Sequence, residues 1–421
     1  MSEVTPRQDA APQAERCPVI DFDHHSAEFN ADPHAGWMAL KETPVAWTEK
    51  YGGYWVVSDH AGIKDVFQNP EVFTSARIDG VSSMSIPTIG AGGSDEPTLP
   101  IEVDPPYHTK VRGLLNPKLS PAESRKMQPI IEQWVTTCID RVIEKGECDL
   151  LTDVVGPVPA YVTMGWLGFP EETVLEAQES VHHMVGFPQG SPEFNEAVQS
   201  TLILDTLIQT CLARRAEPRD DLISWLMTQE LDGEPVTDNV IIGLAYILVI
   251  GGVDTTTSLA ANAIIHLNKD RELRQRLIDE PELLDSATEE FLRFYPPLAS
   301  QPRRVRSDFE YRGCPMQAGD PILVSRYGAN FDEAVFDEPQ EFRPDRFPNR
   351  HSSFGLGPHR CVGSHLARLM FREMLSQILR RMPDYELDEA GIAPYPDRSG
   401  FNGWTACPAR FTPGPRSDAP S

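Results

Sequence analysis

The sequence predicts a mainly α-helical protein with a smaller β portion, folded as a single large domain. Three observations carry that expectation. From about residue 105 to 231 the pattern is mostly helical, broken at Pro121, Pro157, Pro170, Pro192 and Pro218. The next segment, about 238 to 268, is apolar nearly all round in its first half (VIIGLAYILVI), as a buried helix is. Strand signals are few and short, and neither an internal repeat nor a dividing linker is visible.

In chain order, residues 1 to about 18 are polar and proline-bearing, without the apolar stretch of a targeting signal, and read as a weakly ordered end. Val45–Thr48 and Tyr54–Val57 flank Tyr51-Gly52-Gly53 as strand, turn and strand. Ser58 or Asp59 caps a helix ending near Asn69-Pro70. Residues 78–101, rich in Gly, Ser and Pro, form a long loop, and such loops are usually functional. Thr237 or Asp238 caps the apolar helix. Beyond it, Pro281, Pro296-Pro297 and the prolines from 302 to 348 mark short helices, strands and coil, with strands at 322–325 and near 406–411. A last helix starts after Cys361 and ends near Pro383; residues 413–421 read as a loose tail. The domain is therefore expected over 19–412.

Of the 421 residues, Asp and Glu number 63 against 37 Lys and Arg, a formal charge of −26. That balance argues against a nucleic-acid or anionic-membrane binder, which needs surplus cations. The longest apolar run, about 240–253, falls short of the ~18 residues of a spanning helix, so no membrane anchor is expected. Seven scattered cysteines without a CxxC suggest neither a zinc site nor a disulfide framework, and fit a reducing cytoplasm.

Two places break local rules. Within the apolar helix stands Gly251-Gly252-Val253-Asp254-Thr255-Thr256-Thr257. Glycine and serial threonine weaken a helix, and a buried Asp needs a partner or water. The Thr255 hydroxyl can reach the carbonyl of Gly251, four residues earlier. Either a functional site or a simple kink accounts for this. The second place is FGLGPHRCVG, from Phe354 to Gly363. Its glycines and proline make a tight loop that sets Cys361 at a helix N-terminus, where the dipole favours a thiolate nucleophile or metal ligand. Gly363 admits the close approach of a bulky group. A buried free cysteine is the plainer alternative.

That string resembles the haem-binding loop of the cytochrome P-450 family, F-G-x-G-x-H-x-C-x-G, at every fixed position. GGVDTT resembles the family's oxygen-activating helix, Glu290-Phe291-Leu292-Arg293 its ExxR pair, Phe342-Arg343-Pro344-Asp345-Arg346 its meander, and His108-Thr109-Lys110-Val111-Arg112 its HxxxR. The motifs fall in family order, and the chain resembles the soluble bacterial members that hydroxylate camphor-like molecules.

The resemblance implies haem b, with Cys361 as axial thiolate and Phe354 packed beside it. His108, Arg112, Arg303 and His359 would hold the haem propionates. Glu290, Arg293 and Arg346 would form a structural ion network. Asp254, through water, and Thr255 would supply the protons of oxygen activation. Gln301 stands where some members carry an Asp, and its amide would bond a propionate. Ile247, Ile250, Gly251, Leu298, Ala299, Phe401 and Trp404 would line an apolar substrate pocket, with part of the 78–101 loop and the region of Phe187 at its entrance. His182-His183 would lie on an exposed helix face rather than meet substrate.

A ferredoxin and its NAD(P)H-dependent reductase would supply electrons, meeting a basic patch of Lys110, Lys118, Arg360, Arg368 and Arg372. The expected activity is hydroxylation of a small apolar or amphipathic organic substrate with O2, by a monomer. A haem-binding sensor without turnover and a peroxide-driven peroxygenase are the alternatives.

Overall fold

The computed structural model describes residues 17–84, 86 and 97–417. Val45–Thr48 (β1) and Tyr54–Val57 (β2) pair antiparallel, with Trp47 opposite Trp55. All eight residues are buried, so this corner of the sheet is covered on both faces. The connecting turn needs glycine: Gly53 has φ +94°, and a Cβ there would lie 2.1 Å from the Trp47 ring. Asp59 caps α1 (His60–Gln68) by accepting the Gly62 N–H at 3.0 Å. Phe73–Thr74 (β3), Ser300–Val305 (β4) and Pro321–Ser325 (β5) complete a five-stranded sheet in the order β1-β2-β5-β4-β3. Ile322 lies opposite Arg303 and Val324 opposite Gln301. Strand residues two apart share a face, so Gln301 and Arg303 project together.

The rest is chiefly helical: α2 (Tyr107–Gly113), α3 (Gln128–Asp140), α4 (Pro157–Leu167), α5 (Val174–Gly186), α6 (Leu202–Ala216), α7 (Asp238–Gly252), α8 (Asp254–Lys269), α9 (Leu284–Phe294), α10 (Arg326–Asn330) and α11 (Ser364–Arg381). One large apolar core joins α3, α4, α7, α8, α9 and α11. α4 is apolar on every side and buries nine of its eleven residues, which makes it a central post.

The expected single helix of 238–268 is two helices, broken at Val253 (φ −91°, ψ −71°). Hydroxyls compete for its backbone there: Thr255 Oγ1 donates to Gly251 O at 2.9 Å and Thr257 Oγ1 to Val253 O at 3.1 Å. In α7 only Ile241, Leu244, Ala245 and Val249 are buried, while α8 is buried almost throughout. By length and composition alone Asp238–Lys269 is apolar enough to cross a membrane. Here its α8 half runs through the core.

Two further expectations are corrected. Cys17 and Cys314 form a disulfide, Cα–Cα 5.5 Å, between residues 297 apart in sequence. A pair so distant has no sequence signature, and it removes the cysteine pattern as an argument for a reducing compartment. The tail, expected to be loose, is anchored as far as it is described. Gly414 N–H donates to Ile143 O at 3.0 Å, and Ser417 N–H to Asp140 Oδ1 at 3.1 Å. Residues 1–16, 85, 87–96 and 418–421 lie outside the described residues, and with them 11 of the 24 residues of the expected entrance loop.

Candidate active site

The loop before α11 is folded back on itself. Cys361 N–H donates to Phe354 O at 2.7 Å and Gly355 N–H to Ser352 O at 2.7 Å. Gly355 and Gly357 have φ +69° and +68°, and a Cβ on Gly357 would stand 2.2 Å from Phe67 O. Helix α11 begins at Ser364, after Cys361 as expected, with Gly363 at its N-cap. The residue is accessible along one side, yet its sulfur lies deep in the fold, and that desolvation pushes the thiol up. The Gly363 N–H, then Arg112, Arg326 and Arg360, pull the other way.

Around this sulfur stands positive charge without a matching acid. Among the described residues no carboxylate ion-pairs with Arg112, Arg303, Arg326, Arg360, His108 or His359. Burial lowers Arg112, Arg303, Arg326, His108 and His359, and repulsion from neighbouring cations adds to it for all of these but Arg303. Arg326 falls to about 9, with Arg303 the repelling neighbour. Desolvation takes Arg303 itself to about 10. His108 falls to about 4 and His359 to about 2. The two imidazole centroids are 4.1 Å apart. Both ring nitrogens of His108, Nε2 of His359 and Nε of Arg326 are buried without a hydrogen-bond partner. Arg303 and Arg326 are buried cations without an ion-paired acid, each costing several kcal/mol, and the two neutral imidazoles beside them have nitrogens free to donate, so the cradle is built for an anionic ligand.

Arg326 was not foreseen. It starts α10 directly after β5, in a stretch with no motif, and Gln301 Oε1 accepts from its Nη2. Gln301 therefore orients an arginine, where its amide was expected to bond a carboxylate.

Beneath the loop the predicted ion network is assembled. Glu290 accepts from Arg293 at 2.8 Å through both oxygens, from Arg346 Nε at 3.1 Å, and from the Arg343 N–H at 2.9 Å. Glu290 and Arg293 are fully buried. Asn330 joins the network to the loop: it accepts the Ser352 N–H at 2.7 Å and donates to Ser353 Oγ at 2.9 Å.

On the opposite side, Asp254 opens α8, is fully buried, and uses both oxygens. Oδ1 is 3.3 Å from His182 Nδ1, and Oδ2 accepts from the Tyr395 hydroxyl. His182, expected on an exposed face, is thus held to Asp254 because α5 crosses α8 there. Tyr395 is seated by glycine: a Cβ on Gly403 would lie 2.1 Å from its ring, and one on Gly186 2.7 Å. Thr255 has given its proton to Gly251, so its oxygen is left as an acceptor.

The expected pocket set divides. Ile247 is half-buried and Gly251 exposed on α7, outside the core, whereas Ile250 packs against the core. Leu298 and Phe401 meet in a β-bridge. Ala299 instead packs in a core with Phe22, Trp37 and Leu323. Trp404 donates from its indole to Asn262 Oδ1 at 3.1 Å and packs on the main core. A groove of about 1080 Å³ between the end of α4 and α6 contains none of the predicted site residues.

The basic patch is also corrected. Lys110 pairs with Asp232 at 2.6 Å, Lys118 lies over Trp225, Arg368 is held by Glu289 at 2.6 Å, and Arg372 pairs with Asp285. Sequence shows charges but not their counterions. Arg360 stays exposed, and Arg125 of the short helix Pro121–Lys126 is exposed as well. Burial, then the charges of Arg368, Arg360 and Arg125, lower His365, which places these groups together.

Residues 193–388 match the family model described as Cytochrome P450. The chain is 32% identical over 405 residues to a steroid C26-monooxygenase of Mycobacterium tuberculosis strain H37Rv, covering 94% of this chain and 98% of that protein. It is 29% identical over 369 residues to linalool 8-monooxygenase of Pseudomonas putida, covering 84% and 90%. Among solved structures it resembles CYP109E1 from Bacillus megaterium in complex with corticosterone, with a TM-score of 0.79, 27% identity, and coverage of 91% and 100%.

Proposed function

The chain belongs to the cytochrome P450 family, and from that premise we propose that the Cys361 thiolate would hold its haem iron and that Asp254 and Thr255 would manage protons for the bound group. The protein is a monooxygenase whose cofactor is haem b. The observation that carries the assignment of residues is the cradle: buried cations lacking acids, beside one thiol, fit a ligand with two carboxylates and a metal. His108, Arg112, Arg303 and His359 would hold the propionates, joined by Arg326 as oriented by Gln301. Gly363 offers no side chain, so a flat group can approach the sulfur. When bound, haem iron activates O2 and inserts one oxygen atom into a substrate C–H bond.

The protein's own part is to position, dry and supply protons. Phe354, stacked under Arg368 at 4.4 Å, would pack beside the sulfur once the haem is in place. Asp254 holds a proton-accepting group in a dry site at the break between α7 and α8. The Thr255 oxygen, with its proton on Gly251, orders donors on that face.

Ile247, Ile250, Leu298 and Phe401 favour an apolar or amphipathic substrate, and the relatives' names point to the steroid or terpenoid class. Titrating a panel of both classes and reading the Soret shift tests this; binding confined to polar or charged compounds contradicts it. Electrons come from a ferredoxin and its NAD(P)H-dependent reductase, docking at the face of Arg360 and Arg125. Product formed with NADH, ferredoxin and reductase, but not with peroxide alone, supports the monooxygenase reading; the reverse supports a peroxygenase.

A further inference from the structure

The geometry points to His182 as the outer proton donor to Asp254, with Tyr395 as the positioning residue that fixes the carboxylate facing that donor. The inference rests on the reading of Asp254 as a proton carrier and adds its source. Asp254 has no exposed surface, so it cannot take protons directly from bulk water. The one titratable nitrogen bonded to it is Nδ1 of His182, at 3.3 Å from Oδ1. The His182 side chain keeps 17% of its surface open. Its Nε2 has no partner among the described residues and is left for solvent. A proton can enter at Nε2 and leave from Nδ1, because imidazole binds one on each nitrogen.

Tyr395 completes the arrangement. Its hydroxyl donates to Oδ2 of Asp254 and lies 3.3 Å from His182 Nδ1. Burial first, and Asp254 next, raise this phenol well above its ordinary value, so it stays protonated and acts as a fixed donor. The groups facing His182 are Asp254 from α8, Tyr395 from the segment before the last strands, and His183 beside it, with ring centroids 6.3 Å apart. Among the described residues no lysine or arginine is bonded to Asp254.

The step balances simply. The Nδ1–H bond of an imidazolium breaks and an O–H bond forms on Asp254 Oδ1. The ring is left as its Nε2–H tautomer, the Nε2 proton being the one that solvent had added to form the imidazolium; once Asp254 has passed its proton inward, the ring loses the Nε2 proton to solvent and regains one at Nδ1 through water.

The first test needs no variant protein beyond one for assignment. In 15N-histidine-labelled holoenzyme, reduced and carbon monoxide-bound, neutral His182 should carry its proton on Nδ1. An Nε2–H tautomer overturns the inference, since a bare Nδ1 has nothing to give. The second test follows NADH oxidation and peroxide release by the reconstituted holoenzyme, with linalool as the probe. His182→Gln should slow oxidation ~10-fold, less than full loss of a general acid because water can replace an outer donor. It should also remove the decline in rate expected as pH rises. Tyr395→Phe keeps the packed ring and that decline, but raises the share of peroxide. If Asp254→Asn slows oxidation while His182→Gln leaves rate and pH profile unchanged, the inference fails alone. If Asp254→Asn changes neither, the underlying reading of Asp254 fails.

Discussion

Arg368 lies with its guanidinium 4.4 Å from the centroid of the Phe354 ring, and it is Glu289 that holds it there, through two hydrogen bonds of 2.6 Å. One arginine thus links α9, α11 and the loop of Cys361. Arg368→Met should keep some of the packing and lose the bidentate pair. Both partners are partly exposed, so the expected loss is about 1–2 kcal/mol rather than the full cost of breaking a buried pair. Thermal unfolding of the holoenzyme checks it, and faster release of haem to a scavenging apoprotein should accompany the loss.

The same clamp sets an acid limit. Burial would raise Glu289, but Arg368 and His351 hold it at about 2. A carboxylate with a depressed folded value stabilises the protein above its unfolded value, near 4.5, and loses that contribution as pH falls toward 2. The linkage amounts to about 3 kcal/mol at most. Glu289→Gln should therefore lower stability at neutral pH and flatten its decline between those limits. Urea titrations at several pH values measure both.

The bond from Arg326 to Gln301 yields a prediction of opposite sign for the two forms of the protein. Gln301→Glu supplies a carboxylate to a cradle that has none. It should stabilise haem-free protein more than holoprotein, because the new charge competes with the propionates. About 1–2 kcal/mol is expected, or roughly tenfold faster haem loss. Paired unfolding curves with and without haem would show the difference.

Gly357→Ala should be severe. The position has φ +68°, and the added Cβ would meet Phe67 O at 2.2 Å, a backbone atom that cannot swing aside. The strain belongs to a class costing about 1–3 kcal/mol, and the clash adds to it. The variant should incorporate little haem, as the Soret absorbance per unit protein reports. Gly113→Ala, where no atom lies within 4 Å of an added Cβ, serves as the control.

Much of the proximal side was legible because its instructions are local. The glycines, proline and cysteine of 354–363 sit within ten residues, and Glu290 with Arg293 share one turn of α9. Residues placed by tertiary approach were not legible. Arg326 reaches Gln301 through the register of β4 and β5, and Tyr395 reaches Asp254 across 141 positions. His182 looked like a surface residue because α5 is amphipathic on average, and only its crossing with α8 shows otherwise. The break at Val253 was foreshadowed by Gly251-Gly252 and three threonines, but composition alone could not separate a kink from two helices. Lys110, Arg368 and Arg372 were misread together because opposite charges far off in sequence neutralise them.

The account depends on coordination of haem iron by the sulfur of Cys361. The most direct measurement is the absorbance spectrum of the purified, dithionite-reduced protein under carbon monoxide, for the wild type and Cys361→Ser. The wild type should show the long-wavelength Soret band diagnostic of a thiolate trans to carbon monoxide, and the serine variant should lose it. A wild-type spectrum without that band, or a serine variant that retains it, would contradict the account.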